Sequence, residues 1–586
     1  MREHVSEAAA KNIEVWLSEP KYNEYKTELI TLIEAEEWQE LEDAFFKVLE
    51  FGTAGRRGKT GIGSNRINKV TIGESTQALC EYAKSFDIDA PSKGIVIAYD
   101  TRLTSPELSI YAACVCAANG FRTYLFENFR STPELSFAVR HLKTAAGIVI
   151  SASHNPPADN GFKAYWSDGG QIAAPHDKGI LAVAETLANI NDMQFEQALS
   201  EEKILLIGKE VDEAYVSAVV AQAEGESRDV TIAYSPLHGA GQTNVLPVLK
   251  QAGFTNILVV EEQMVPDGNF PTVENHKPNP EEKIANDMAV TKMLEEKADI
   301  AITNDPDADR LGVIVRQDSA ARYLTGNQTA VLAADFALKR LLEKKALTSQ
   351  HFLAKTIVTT DMLTALADHY GIKCYGNMLI GFKYIAKLIR EKEATDELFI
   401  LAAEESFGIL KGSYARDKDG ASGALPIAEY AAELKKQGKT LYDRLFELYV
   451  EHGLYVEYLA NAYFEGASGF NKMQKVMLDL RAQTPTEING HQVTAILDYQ
   501  SLQRLDLKTQ EMTPIDCTSG NVVVLELDGD ARRRVTIRPS GTEPKLKLYV
   551  QWFEKVNDIK HVQAEYDRAY EILQNLSKEL EAVVLK

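Results

Sequence analysis

Short apolar runs rich in Ile, Val and Ala alternate with amphipathic stretches along most of this chain, and the two periodicities predict its elements. Strands over 94–100, 122–127 and 147–151, with helices over 106–118 and 133–142 between them, make a β-α-β-α-β unit. A second alternation begins near 230: a strand over 230–235, a helix over 243–251, a strand over 256–261, and then a strand entering a polar loop at 304. A third starts with a strand over 356–360 and includes a strand over 398–402 and a helix from 425. The last region differs, with strands over 521–527, 534–537 and 546–552 before a helical tail from 559. Residues 1 to about 50 read as polar and helical, with Trp16, Leu17, Leu29, Leu32 and Ile33 as a packing face.

Composition narrows the function classes. A chain of 586 residues with 45% hydrophobic content can bury several cores and divides into three to five domains. A formal net charge of −22 argues against nucleic acid or an anionic membrane as partner. No apolar run reaches membrane-spanning length, and Met1-Arg2-Glu3-His4 opens a charged amphipathic segment rather than a signal peptide. Cys80, Cys114, Cys116, Cys374 and Cys517 are scattered without metal-ligand spacing and read as reduced core thiols of a cytoplasmic protein.

Four polar loops carry the candidate chemistry. In the first, Ser151-Ala152-Ser153-His154-Asn155-Pro156-Pro157 follows the apolar run Ala146–Ile150. A strand ending in small hydroxyl residues before an Asn-Pro turn presents a hydroxyl at the sheet edge where open α/β folds bind ligands. The second is Asn304-Asp305-Pro306-Asp307-Ala308-Asp309-Arg310. Alternate carboxylates in an extended segment point the same way, and three in one loop repel unless a cation sits between them. An all-oxygen set implies a hard divalent ion, and an open site completed by a phosphate oxygen favours Mg²⁺. An EF-hand fails here, because the sixth and twelfth positions from Asp305 are Arg310 and Arg316 rather than Gly and Glu.

The third loop, Ala402-Ala403-Glu404-Glu405-Ser406-Phe407-Gly408, offers carboxylates and a hydroxyl to vicinal sugar hydroxyls; taken alone, Glu-Glu-Ser is better explained as an acidic helix N-terminus. Arg416-Asp417-Lys418-Asp419-Gly420 lies just downstream. In the fourth, Arg538-Pro539-Ser540-Gly541-Thr542-Glu543-Pro544-Lys545, a turn glycine, two hydroxyls and a guanidinium fork suit an anion. Residues 531–547 hold six basic side chains against one acidic, a local reversal within an acidic chain.

In this order the loops resemble the phosphoserine, metal, sugar and phosphate loops of the α-D-phosphohexomutase family, from about residue 51 to the C-terminus. Phe51-Gly52-Thr53-Ala54-Gly55-Arg56-Arg57-Gly58, Tyr99-Asp100-Thr101-Arg102, Tyr234-Ser235-Pro236-Leu237-His238-Gly239 and Gly381-Phe382-Lys383 support the match. The resemblance implies three related α/β domains, mixed sheets flanked by helices, plus a C-terminal α+β domain around a central cleft. Their expected bounds are 1–205 (with the helical extension), 206–322, 323–455 and 456–586.

It also implies roles. Ser153 would carry a phosphoryl group and, with Asp305, Asp307 and Asp309, hold one Mg²⁺ per chain. His154, Lys163 and Arg57 match positions for proton transfer and stay unranked. Arg310, Glu404, Ser406, Lys418, Arg538, Ser540, Gly541 and Thr542 would bind a small-molecule phosphosugar. The implied reaction interconverts α-D-glucose 1-phosphate and glucose 6-phosphate through glucose 1,6-bisphosphate. Phosphopentomutase, phosphomannomutase and sugar-bisphosphate synthase activities are alternatives within the family, and a catalytically silent binding relative is the alternative outside it. Oligomeric state is left open. Arg56 replaces an apolar residue of the commoner pattern, so either Arg56 or Arg57 could face the site; Ala403 stands where Gly is usual.

Overall fold

The computed structural model describes residues 2–49, 55–187, 189–464, 469–540 and 544–585. It divides into two compact units, one of residues 1–323, 386–391 and 408–429 and one of residues 324–385, 392–407 and 430–586.

The first unit contains two mixed sheets. Strands β1 (Gly55–Lys59), β2 (Ile95–Tyr99), β3 (Thr123–Phe126), β4 (Ala146–Ile150), β5 (Asp159–Trp166) and β6 (Ile204–Ile207) lie in the order β1-β5-β4-β2-β3-β6. Strands β4, β2, β3 and β6 are parallel, β5 runs antiparallel to β4, and edge strand β1 runs antiparallel to β5. Every residue of β2 and β4 is buried, as a parallel strand covered on both faces by helices requires. Helices Lys69–Phe86, Ser105–Ala118 and Thr132–Leu142 provide that cover. The second sheet runs in the order β11-β10-β9-β7-β8, from β7 (Ile232–Ser235), β8 (Ile257–Val259), β9 (Ile300–Thr303), β10 (Gly312–Gln317) and β11 (Ala320–Leu324). Strands β7, β8 and β9 are parallel, so the turns after Ser235 and Thr303 leave the same sheet edge.

Helices Glu7–Ser18, Lys26–Glu34 and Trp38–Phe45 make a separate small core of Ile13, Trp16, Leu29, Leu41 and Phe45, closed by Ile62 and Val70. Leu17, Leu32 and Ile33 are only partly buried beside it.

In the second unit, β12 (His351–Lys355) pairs in parallel with β13 (Lys373–Tyr375) and β14 (Leu398–Glu404). The strand expected over 356–360 is instead a turn. Its β-branched residues are buried for another reason: Ile357 and Val358 pack on Tyr499, Val522, Val524 and Tyr549 of the C-terminal sheet. β15 (Gly408–Lys411) belongs to the first unit. The helix expected from 425 begins at Gly420, because Asp419 accepts the Ala421 N–H at 2.8 Å and caps it; Pro426 lies inside it.

The C-terminal sheet is antiparallel. It comprises β16 (Leu454–Tyr463), β17 (Glu487–Ile488), β18 (His491–Asp498), β19 (Gln503–Asp506), β20 (Met512–Pro514), β21 (Val523–Leu527), β22 (Asp530–Pro539) and β23 (Lys545–Glu554). Its order is β16-β23-β22-β21-β18-β19-β20, with β17 on β18, and helix Val562–Val584 follows. Cys80, Cys114 and Cys116 are buried thiols as expected, whereas Cys374 and Cys517 are half-buried. Among the described residues no helix is long and apolar enough to cross a membrane.

Candidate active site

The chain leaves β4 into a tight turn whose centre is Ser153, held at φ 53° and 3% exposed. A non-glycine residue in the left-handed region costs energy and persists only where its surroundings impose it. Here the Ser153 N–H donates to Ser151 Oγ at 2.8 Å. The buried Arg102 guanidinium donates to the carbonyls of Ser153 (2.6 Å), Asn155 (2.5 Å), Pro156 (2.7 Å) and Asp159 (2.9 Å). Asp100 orients this clamp, lying 3.3 Å from Arg102 Nε. The turn thereby aims the Ser153 hydroxyl at Asp305, to which it donates at 2.5 Å, with His154 Nδ1 3.1 Å away.

Asp305, Asp307 and Asp309 are buried, and one oxygen from each lies within 4.8 Å of the others. The loop is not extended: Ala308 takes φ 52°, and this turn, rather than strand alternation, makes the carboxylates converge. Asp307 Oδ1 and Asp309 Oδ1 have no hydrogen-bond partner in the structure. Two orphaned buried carboxylate oxygens beside a third carboxylate and a serine hydroxyl fit a hard divalent cation.

The other Asp307 oxygen is taken, accepting from Lys163 Nζ at 2.5 Å and Thr132 Oγ1 at 2.6 Å. Burial alone would raise the Asp307 carboxyl, but Lys163 and Thr132 hold it well below the usual carboxylate range. Burial, and then the charge of Asp307, push Asp305 well above that range and Asp309 upward.

Further cations surround the acids. Lys418 Nζ lies 2.8 Å from Asp309, and Lys163 lies 3.8 Å from it. Arg310 donates its backbone N–H to Asp305 at 3.0 Å, and its guanidinium pairs with Glu281. Arg57 reaches Asn155 Oδ1 at 3.4 Å. Its neighbour Arg56 points to the opposite face of β1, where it is buried against Thr71 O (3.0 Å) and Glu74 (3.2 Å). Arg57 is therefore the arginine beside the serine turn. Burial, and then Arg310 and Arg57, hold His154 well below the usual histidine range, so its imidazole is neutral at pH 7.

Glu404 and Ser406 lie in the second unit. Glu404 ends β14 and is buried, and the chain then turns instead of starting a helix, which removes the helix N-terminus reading. That turn lies against the start of helix Gly326–Glu343. A Cβ at Gly326 would come within 2.2 Å of Glu405 O, so only glycine allows this approach. Arg538 is on β22 opposite Lys547, and Ser540 N–H donates to Lys545 O at 2.9 Å. Gly541 and Thr542 lie outside the described residues, as do 51–54.

Several residues that sequence reasoning gave no role stand around the acids. Arg102 and Asp100 belong to a motif of the family resemblance that carried no assigned function. Tyr165 donates to Asp417 at 2.7 Å, and Asp417 accepts the Lys418 backbone N–H at 2.9 Å. Asp419 accepts from Tyr215 at 2.7 Å and from Tyr414, and burial raises it to about 6. Asp100, Arg102, Asp417 and Asp419 lie in runs singled out in the sequence, whereas Tyr165, Tyr215 and Tyr414 have no local signal that ties them to the acids.

The chain matches the alpha/beta/alpha domains I, II and III of phosphoglucomutase/phosphomannomutase over residues 48–191, 213–318 and 325–449. It is 35% identical to a phosphoglucomutase of Staphylococcus haemolyticus (strain JCSC1435) over 527 residues, covering 88% of this chain and 93% of that one. Among solved structures it resembles a putative phosphomannomutase from Thermus thermophilus (TM-score 0.65, 20% identity, 92% of this chain and 100% of that one). It also resembles the open form of the Paramecium exocytosis-sensitive phosphoprotein pp63/parafusin (TM-score 0.65, 18% identity, 90% and 95%). The chain belongs to the α-D-phosphohexomutase family and is an enzyme of the phosphohexomutase class.

Proposed function

We propose that this enzyme is a phosphoglucomutase, interconverting α-D-glucose 1-phosphate and glucose 6-phosphate by way of glucose 1,6-bisphosphate. The observation that carries the reading is Ser153, a buried hydroxyl in a strained turn 2.5 Å from Asp305, in a site where Arg57 meets Asn155 of the same turn and Lys163, Lys418 and Arg310 meet the three acids. A cationic pocket around one nucleophilic oxygen suits a residue that alternates between hydroxyl and phosphate ester. The glucose preference is supported by the name of the Staphylococcus relative.

In the forward step the phosphorus–Oγ bond of phospho-Ser153 breaks and a bond forms to the free hydroxyl oxygen of the sugar monophosphate. The sugar hydroxyl gives its proton to a nearby base, and Ser153 regains one when the phosphoryl group leaves it. Lys163 is linked through Asp307 to the acids, and His154, kept neutral beside Ser153 Oγ, is the alternative proton acceptor. Asp305, Asp307 and Asp309 would hold Mg²⁺, which when bound neutralises charge on the transferring phosphoryl group. Arg310 and Lys418 bind the reacting end of the sugar. Glu404 and Ser406 bind its hydroxyls, and Arg538, Ser540, Gly541 and Thr542 bind the distal phosphate in both orientations.

The test is turnover of glucose 1-phosphate, mannose 1-phosphate and ribose 1-phosphate side by side, each with a trace of the matching bisphosphate, together with peptide mass spectrometry. Glucose 1-phosphate should be turned over best, and Ser153 should carry the phosphate. Preference for either other sugar, or full turnover by Ser153→Ala, would overturn the proposal.

A further inference from the structure

The three N-terminal helices precede the family match, which begins at residue 48, and they contact both the start of helix Lys69–Phe86 and the loop 60–68. Strand β1, which carries Arg57, is an edge strand whose ladder partner among the described residues is β5, and its last carbonyl, Lys59 O, accepts from Ile67 N–H at 2.8 Å. The loop 60–68 leads out of β1, and the third helix, Trp38–Phe45, grips it. Asn65 N–H donates to Ala44 O at 2.9 Å, and Asn65 Nδ2 donates to Asp43 O at 3.1 Å. Ser64 Oγ donates to Lys47 O at 2.7 Å, and Leu49 N–H donates back to Ser64 O at 2.8 Å. Gly63 adopts φ 129° directly against Ala44, whose carbonyl oxygen would lie 2.4 Å from any Cβ. Arg66, 3% exposed, reaches Glu40 at 2.8 Å and Asp43 at 3.0 Å, and Asp43 also pairs with Lys59, the last residue of β1, at 3.1 Å. On the other face of β1, Lys21 of the helical module shares Glu74 with Arg56 at 3.2 Å each.

We propose that the helical module 7–45 is a brace that fixes β1 and so positions Arg57 over the Ser153 turn, with Arg66 as its principal positioning residue. The physical reason is that an edge strand has ladder bonds on one side only, so its register and its end are held by whatever covers the other side. Asp43 is placed to do this at both ends of the loop, through Lys59 and through Arg66. The extra helices would thus act on catalysis without touching substrate. This rests on the role proposed for Arg57.

A double-mutant cycle with hydrogen exchange tests the brace. Arg66→Ala should lower kcat by about ten- to a hundredfold, the scale of a small misplacement of a catalytic group, with little change in KM. In an Arg57→Ala background the same change should have almost no further effect, because Arg66 acts through Arg57. Amide exchange over 55–59 should accelerate in Arg66→Ala while β2 and β4 stay protected. Asp43→Asn, a milder change at the same contact, should move both readouts in the same direction if Arg66→Ala folds poorly. Fully additive losses, unchanged kcat, or unchanged exchange over 55–59 would overturn the brace. Turnover undiminished in Arg57→Ala would instead refute the role of Arg57, and the exchange readout alone would then decide whether the module braces β1.

Discussion

Thr132 and Asp307 bind each other twice: the threonine hydroxyl donates to the carboxylate at 2.6 Å, and the Asp307 carbonyl accepts the Thr132 N–H at 2.9 Å. This double contact anchors the start of helix Thr132–Leu142 to the acidic loop and fixes the rotamer of the middle carboxylate. It leaves Asp307 Oδ1 as the oxygen free to face a cation.

Thr132→Val keeps the shape and removes the hydroxyl. Groups that orient a metal-ligating carboxylate typically contribute about 10–100-fold in metal affinity. The Mg²⁺ concentration for half-maximal turnover should therefore rise by about that factor, with saturating kcat changed much less. An unchanged Mg²⁺ requirement would show that Lys163 alone orients Asp307.

Asp307→Asn keeps the size of the side chain and removes the charge held by Lys163 and Thr132. Activity should fall by about two orders of magnitude or more, because charge neutralisation at a phosphoryl group accounts for several kcal/mol of the barrier. Circular dichroism should be unaltered. Chelation of the wild-type enzyme should have the same effect, reversed by added Mg²⁺; full turnover in excess chelator would refute the metal role.

Arg538→Ala removes a guanidinium near the end of β22. A charge-assisted contact to phosphate contributes about 1.5–3 kcal/mol, or roughly ten- to a hundredfold in kcat/KM at about 1.4 kcal/mol per decade. If the proposed site holds the distal phosphate in both orientations, glucose 1-phosphate and glucose 6-phosphate should lose equally. A loss confined to one direction, measured by coupled assays run both ways, would exclude a shared site.

Burial raises Asp419 to about 6, despite the hydroxyls of Tyr215 and Tyr414. A folded-state pKa above the unfolded value of about 3.9 favours the folded state most below pH 4, and that advantage is lost as pH rises through 6. Asp419→Asn removes the titration. The melting temperature of the wild type relative to this variant should fall between pH 4 and pH 6 and then level off. A difference that stays flat across that window, or grows with pH, would contradict the shift.

Much of this site is legible in order along the chain. Ser153, the three acids and Arg310 follow apolar strands at short range, and a polar loop at the end of a buried strand has few structural reasons to exist. The alternation of strand and helix predicts β2, β3 and β4 to within two residues, because buried parallel strands read as continuous apolar runs. The half-buried antiparallel strands β16 to β20 have a weaker signal and yield no prediction. The run 356–360 looks like a strand because β-branched residues mark burial as well as extension, and here a distant sheet supplies the burial.

The sequence by itself determined the identity and local spacing of the reactive groups, since these depend on residue type and on neighbours a few positions away. Tertiary structure alone decided which groups meet. Lys163 and Asp307 are 144 residues apart, Thr132 and Asp307 are 175 apart, and Tyr165 and Asp417 are 252 apart. It also decided that Arg57 rather than Arg56 faces Ser153, which strand alternation leaves open until one face of β1 is covered. A pairwise contact across such separations has no period and no local propensity, so it exists only once the sheets and helices have packed.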